Sequence, residues 1–373
     1  MKLCIVTHRV VIGDGQGRVN YEVAWEAIRR GHHVTLLASS VDLALQQHSQ
    51  VDWISIPVKG YPLQLLREIA FSIQSGWWLH KHRREFDLIK VNGAITWARG
   101  DVNAVHFVHS SWLRSPVNLS EQYPSLRRTY NGFYTGLNAD WEKKAFSQAK
   151  AIVAVSRQVE RELLEIGVLP ERIRVILNGV DLQEFSPGEA KRQTWGLPEG
   201  VTLALFAGNA QTPRKNLDTV IRALAQVPEL HLVVAGTTTG TTYPQLVASL
   251  DLSQRVHFLE HRSDIPDLMK AVDFLVFPSR YETFGLVVIE AMASGLPVIT
   301  AATTGAAEII TPGCGIVLPE PDDIQGLARS LSLLTRDREL RHQMGQTALK
   351  IAKQHSWTNM ANRYVDLFEE LKP

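Results

Sequence analysis

The chain has 373 residues, 45% of them hydrophobic and 21% charged, with a formal net charge of +1. That length suggests two domains, and the composition is that of an ordinary globular protein with no nucleic-acid partner expected. Its only cysteines, Cys4 and Cys314, lie far apart in apolar surroundings, which excludes a disulfide framework or a cysteine-based metal site. No run approaches the ~18 apolar residues that span a bilayer, and the apolar N-terminus reads as a strand rather than a signal peptide. A cytoplasmic location is expected, with at most a surface attachment to the inner face of the plasma membrane. Residues 1–178 carry 22 Lys and Arg against 16 Asp and Glu, a balance of +6, and the remainder carries 17 against 22, a balance of −5. Either the first half faces something anionic, or surface charge is scattered between the halves.

In chain order, residues 3–7 read as a buried strand, 8–18 as a glycine-containing loop, 20–30 as a helix and 34–38 as a strand. This is a βαβ unit of Rossmann type. The dinucleotide fingerprint G-x-G-x-x-G is not met, because its last position falls on Arg18 or Asn20. Residues 63–86 form a long helical pattern interrupted at Gly76, with Trp77 and Trp78 followed by Lys81, His82, Arg83 and Arg84. Aromatics beside a basic run can mark a membrane-surface helix or a helix with core tryptophans and solvated charges. Residues 105–108 form a strand ended by His109, where ligands bind in this class of fold. Residues 112–140 are aromatic and basic, with Arg114, Arg127 and Arg128. The second half starts with a strand at 203–207, then Gly208, then Arg214 and Lys215 before a helix at 217–224. Adjacent cations at such a turn are either a solvated loop pair or a seat for a diphosphate, through a guanidinium fork and a point charge.

The most informative stretch is residues 278–297, PSRYETFGLVVIEAMASGLP. An apolar strand (274–277) leads through a short turn into a helix (286–294), stopped by Gly295 and Pro297. Glu282 sits in the turn and Glu290 within the helix. The main chain at Thr283, Phe284, Gly285 and Leu286 opens a helix N-terminus, an anion site. A carboxylate on each side of an anion site suits a ligand with hydroxyls flanking phosphates; the alternative is a surface Glu and a helix-face Glu with no joint role.

Glu282 and Glu290 form an E-x7-E pattern, and Ala293 to Ile299 an A-x-G-x-P-V-I run. Asn178-Gly179-Val180-Asp181 and Thr304-Gly305-Ala306-Ala307-Glu308 add to the pattern. With these motifs the chain resembles the retaining nucleotide-sugar glycosyltransferases of family 4. The resemblance implies an α/β protein of two facing Rossmann-like domains (GT-B) with a cleft between them and a C-terminal crossover helix. The domains would be 1–180 on the acceptor side, 181–355 binding the nucleotide sugar, and 356–373 as the returning helix. It implies transfer of a hexose from a UDP- or GDP-sugar to a saccharide or lipid-linked acceptor, in polysaccharide or glycolipid synthesis, with no cofactor or metal. Catalytic roles fall on His109, Glu282, Arg214 and Lys215. Donor-binding roles fall on Gly15, Gly208, Arg214, Lys215, Glu282, Thr283, Phe284, Gly285, Leu286 and Glu290. Asp14 and Gly15 stand where the family has two glycines, and Glu260 replaces a usual glycine in the base-recognition region. A nucleotide-sugar 2-epimerase of the same fold and a non-catalytic sugar-nucleotide-binding protein are the rival readings. Hydrogen exchange at the sugar C2 would separate the first, and slow donor hydrolysis the second.

Overall fold

Short runs of β-branched and aliphatic residues, buried on both faces, alternate with amphipathic helices throughout the chain, which is the pattern of parallel sheets covered by helices. The computed structural model describes residues 1–58, 60, 61, 63–115, 117, 118 and 125–372, without the side chains of 125–128. Arg127 and Arg128 therefore lie outside the described side chains. The chain divides into two compact units, Met1–Gly179 with Trp357–Pro373, and Val180–Ser356.

The first unit contains β1 (Lys2–Val10), β2 (His33–Val41), β3 (Val51–Ser55), β4 (Leu88–Asn92), β5 (Val102–Val105), β6 (Ala151–Ala154) and β7 (Ile173–Val175). They form one sheet in the order β3-β2-β1-β4-β5-β6-β7, with every pair parallel. Around it lie α1 (Gly15–Arg29), α2 (Leu43–Gln46), α3 (Gln64–His82), α4 (His109–Arg114), α5 (Ser125–Gln148) and α6 (Arg157–Glu165). The strand direction reverses its order between β1 and β4, and the crevice beyond such a switch point is where ligands bind.

Several local features differ from the sequence reading. Helix α1 starts at Gly15, five residues early, because Asp14 caps it and accepts from the Gly17 amide at 2.7 Å. The expected strand at 105–108 is displaced to Val102–Val105. Helix α3 runs through Gly76 without a break. That glycine is a packing device: a Cβ there would lie 2.1 Å from Nε1 of Trp97. The Trp77–Trp78 pair splits. Trp78 packs against the buried cluster of Phe71 and Leu79, whereas Trp77 is 59% exposed.

The second unit contains β8 (Thr202–Ala207), β9 (Leu230–Ala235), β10 (Val256–Glu260), β11 (Phe274–Phe277), β12 (Val298–Ala301) and β13 (Gly315–Leu318). The sheet is again parallel, ordered β10-β9-β8-β11-β12-β13, with its switch point between β8 and β11. Its helices are α7 (Leu217–Leu224), α8 (Tyr243–Ser249), α9 (Ile265–Met269), α10 (Leu286–Ala293), α11 (Ile324–Arg336) and α12 (Arg338–Ala352). Gly295, at φ 78°, ends α10 as a left-handed C-terminal glycine should.

The last helix, α13 (Trp357–Glu370), packs on α1 of the first unit. Tyr364 and Phe368 are fully buried, and Arg30 bonds Asp366 at 2.7 Å and Glu369 at 3.1 Å. Among the described residues, no helix is long and apolar enough to cross a membrane.

Candidate functional site

In the second unit, the turns after β8 and β11 converge at the switch point. The stem of Lys215 passes over Gly208, where a Cβ would come within 3.3 Å of the Phe277 ring and 3.9 Å of that stem. Glycine therefore relieves a tight approach to the ring, while the lysine stem would be in ordinary contact. Lys215 Nζ lies 5.0 Å from the Phe277 ring centroid and donates to Glu282 Oε2. Burial lowers the Lys215 pKa, and the Glu282 charge opposes that shift.

The turn holding Arg214 and Lys215 is fixed from below. Asn216 is fully buried in the left-handed region at φ 66°, and its Nδ2 donates to Pro278 O at 2.9 Å and Pro321 O at 2.7 Å. The Arg214 carbonyl accepts from Arg280 N at 2.8 Å and Ser279 Oγ at 2.9 Å. The Arg280 side chain binds Pro213 O, Asp218 and Asp322. Among the described residues the Arg214 guanidinium has no hydrogen bond or ion pair.

Residues 282–286 form the opposite wall. Glu282 N donates to Thr303 O at 3.0 Å, and its carbonyl accepts from Gly305 N at 2.8 Å. Gly285 has φ 90°, and a Cβ there would lie 3.0 Å from Thr304 and 3.2 Å from Glu282 Cγ, so glycine is required. Thr283 and Phe284 are buried, and the Phe284 ring belongs to the core. Leu286 begins α10, whose first amides have no intrahelical acceptor. One turn on, Glu290 has no side-chain hydrogen bond among the described residues. Desolvation, and then the Glu184 charge, push its carboxyl up to about 7.

In the first unit, His109 opens α4, and Glu142 of α5 holds it twice. His109 N donates to Glu142 Oε2 at 2.9 Å, and His109 Nδ1 lies 2.6 Å from Glu142 Oε1. With the carboxylate on Nδ1, Nε2 is the ring nitrogen left for a ligand. A cavity of about 160 Å³ adjoins it, lined by Asn92, His106, Tyr134 and Asn138 among others. Gly15 is the first residue of α1, beside an amide that the Asp14 carboxylate already occupies. Among the described residues no three of His, Cys, Asp and Glu are grouped as metal ligands would be. Asp322 and Asp323 are committed to Arg280 and to the cap of α11.

Two family models account for most of the chain. Glycosyltransferase Family 4 matches residues 13–184, and Glycosyl transferases group 1 matches residues 188–351. Both halves thus match glycosyltransferase domains, and the chain is a glycosyltransferase of the family 4 type. The D-inositol 3-phosphate glycosyltransferase of Salinispora arenicola is 29% identical over 76% of this chain and 69% of its own length. The chain spans as little as 49% of other curated relatives that it matches. Among solved structures, a sucrose-phosphate synthase from Thermosynechococcus elongatus gives a TM-score of 0.80 at 21% identity, over 99% of this chain and 98% of that one. HepE of Anabaena, in complex with UDP-glucose, gives 0.73 at 22% identity, over 99% and 100%. These structures share the GT-B fold.

The structure of this glycosyltransferase thus gathers Gly208, Arg214, Lys215 and Glu282 to Leu286 at one switch point, with Glu290 on the same helix. His109 and Gly15 belong to the other unit. Sequence reasoning missed Glu142, Arg280 and Asn216. Each acts through a partner at least 33 positions away, so no local spacing marks it. It did mark the odd residue Glu260. That residue sits at φ 54°, where glycine is favoured, and bonds Thr238 N at 3.1 Å as well as Thr238 Oγ1.

Proposed function

We propose that the protein is a retaining, metal-independent glycosyltransferase, moving a hexose from a nucleoside-diphosphate sugar to a saccharide or lipid-linked acceptor. The observation that carries this reading is the switch point of the second unit, where Lys215, the unpaired Arg214 and the first amides of α10 surround one edge. A departing diphosphate needs fixed positive charge that costs no reorganisation at the moment of reaction, and this chain supplies it from its own side chains and helix dipole. That is the reason to expect independence from a divalent cation.

In the reaction, the bond from the anomeric carbon to the β-phosphate oxygen breaks with its electron pair leaving on the diphosphate. An acceptor hydroxyl forms the new bond, and its proton passes to that phosphate oxygen. Arg214 and Lys215 hold the diphosphate, Glu282 the sugar hydroxyls, and Glu290 the ribose hydroxyls. Gly15 and Gly208 allow close approach of main chain, and His109 Nε2 accepts from a hydroxyl of the transferred sugar. Glu282 is tied to Lys215, which disfavours it as a covalent nucleophile and favours attack on the leaving-group face, with retention. UDP is favoured over GDP by the likeness to a protein solved with UDP-glucose. The curated relatives are named for transfer, which disfavours epimerisation.

The test is a thermal-shift screen of nucleotide sugars, since a ligand of the folded state alone raises its melting temperature, followed by NMR of the product anomer. UDP-glucose should stabilise the protein, and an α-linked donor should give an α-linked product in the presence of EDTA. An inverted product, or a loss in EDTA that manganese restores, would overturn the mechanism.

A further inference from the structure

The first unit contains a second, larger cavity of about 290 Å³ that shares Ser72, Gly93, Ala94 and Trp141 with the cavity beside His109. The two therefore share part of one wall. Two residues that line the smaller have a buried atom without a partner among the described residues: Nδ2 of Asn92, which is 5% exposed, and Nε2 of His106. Burial lowers the His106 pKa to about 3, so this imidazole is neutral and can exchange hydrogen bonds with hydroxyls. Unpaired buried polar groups carry a desolvation cost that a polar ligand removes.

The larger cavity is walled by Ile69, Ile73, Val91, Trp97, Trp141 and Ala145. Its shape depends on Gly76, which lets the Trp97 indole lie against the α3 backbone, and on Asn103, which clamps Gly93 N and O at 2.8 and 2.9 Å. Arg99 and Lys144 also line it, are exposed, and have no ion pair among the described residues. Its outer rim is an apolar surface: Ile73 is 48% exposed and Trp97 51%, and Trp77 meets Trp97 edge to face at 6.5 Å. Contiguous exposed apolar groups of this kind mark an interaction site, and tryptophans with cations suit a lipid interface.

Resting on the transferase reading above, we propose that the acceptor is an anionic amphiphile borne by a lipid surface. Its hydroxylated head occupies the small cavity beside His109, its phosphate lies between Arg99 and Lys144, and its hydrocarbon chain fills the larger cavity and leaves past Trp97 and Trp77. The smaller cavity makes the head-group contacts, the larger one selects for a chain, and the two cations that line the larger one select for a negative charge.

The probe is dodecyl phosphate, kept below its micelle-forming concentration and followed by the fluorescence of the wild-type protein. It should bind saturably, while inorganic phosphate at the same concentration neither binds nor competes. Ala145→Phe, which fills the cavity, should weaken binding at least tenfold. Lys144→Glu, an exposed change that leaves the core untouched, should weaken it about fivefold and decides the matter if Ala145→Phe does not fold. Stabilisation by UDP-glucose is read separately. If neither UDP-glucose nor any other nucleotide sugar stabilises the protein, the transferase reading falls. If one does but dodecyl phosphate does not bind, or binds both variants as tightly as wild type, the lipid-acceptor inference falls alone. Equal competition by inorganic phosphate would overturn the chain's role in the same way.

Discussion

The two units share a parallel-sheet plan but prepare the ends of their strands in opposite ways. In the second, the charged groups at the switch point are braced by the chain itself: Lys215 by Glu282, and the cation turn by Arg280, Asn216 and Ser279. In the first, the cavity beside His109 has Asn92 Nδ2 and His106 Nε2 in its lining residues without a partner among the described residues, and it shares a wall with a larger cavity. A braced charge site suits a ligand common to many transferases, a nucleoside diphosphate. A site with loose polar ends suits a ligand peculiar to this enzyme. The sequence charge follows the same division, +6 for residues 1–178 against −5 for the rest.

The hardest blow to the braced site is Lys215→Ala. It removes a charge-assisted contact to the diphosphate worth about 1.5–3 kcal/mol and leaves the half-buried Glu282 without its partner. We expect kcat/KM to fall about a hundredfold, with a smaller fall for Arg214→Ala, whose guanidinium has no partner among the described residues. Unchanged kinetics in both variants would remove the diphosphate assignment. Glu282→Ala should lower turnover with the circular dichroism spectrum intact, because the turn is held by main-chain bonds to Thr303 and Gly305.

Next in size comes the first unit. Glu142→Gln presents an amide where His109 needs two acceptors. Turnover should fall about tenfold to a hundredfold, as when an orienting partner is lost, with the donor KM unchanged. Glu142 is a positioning residue, so Glu142→Asp should restore part of the turnover. A rise in donor KM equal to the loss in kcat/KM would instead place Glu142 in donor binding.

How much of this was legible follows the same contrast. The nucleotide side was readable because its parts are local: a strand, a glycine, a pair of cations, and E-x7-E across one turn and one helix. The first unit was less so. His109 stood out at a strand end, but Glu142 looked like one more charge on a helix whose start, at Ser125, lay in a stretch with no clear period. The tryptophan pair read as a unit because adjacent residues look alike in sequence. On a helix they point about 100° apart, so Trp78 enters the core and Trp77 faces out. The basic run divides similarly: Arg83 pairs with the buried Asp101 at 2.7 Å, whereas Lys81 and Arg84 are exposed. Reversing Lys81 and Arg84 to glutamate is therefore the clean test of membrane contact. It should release the protein from anionic vesicles that it binds at low salt, and no binding by wild type would argue for a soluble acceptor.

A smaller effect concerns pH. Glu290 titrates near 4.5 when unfolded and at about 7 in the fold. The folded state therefore keeps a proton that the unfolded chain has lost, and its stability falls as pH rises from 4.5 to 7, then levels. The difference between the two values sets an upper bound of about 3 kcal/mol. Glu290→Gln should be the more stable protein above pH 7 and equal to wild type near pH 4, read as the difference in melting temperature. Donor affinity should move oppositely, rising with pH in wild type as the carboxylate forms and staying flat in the variant. Parallel pH curves for the two proteins would mean that Glu290 is solvated.

The smallest expected change is Glu260→Gly, which restores the glycine that the left-handed conformation at φ 54° favours. Relief of that strain is worth about 1–3 kcal/mol. Against it stands loss of the bonds to Thr238 N and Oγ1, at about 0.5–1.5 kcal/mol each. The two nearly cancel, so the melting temperature should move by no more than about 4 °C. A carboxylate kept there at no gain in stability is then held for its ligand, and the relative affinity for UDP-glucose and GDP-glucose should change in the variant. If the variant is markedly less stable and binds both nucleotides in the wild-type ratio, Glu260 serves only to tie β10 to the Thr238 turn, and the braced site of the second unit extends that far.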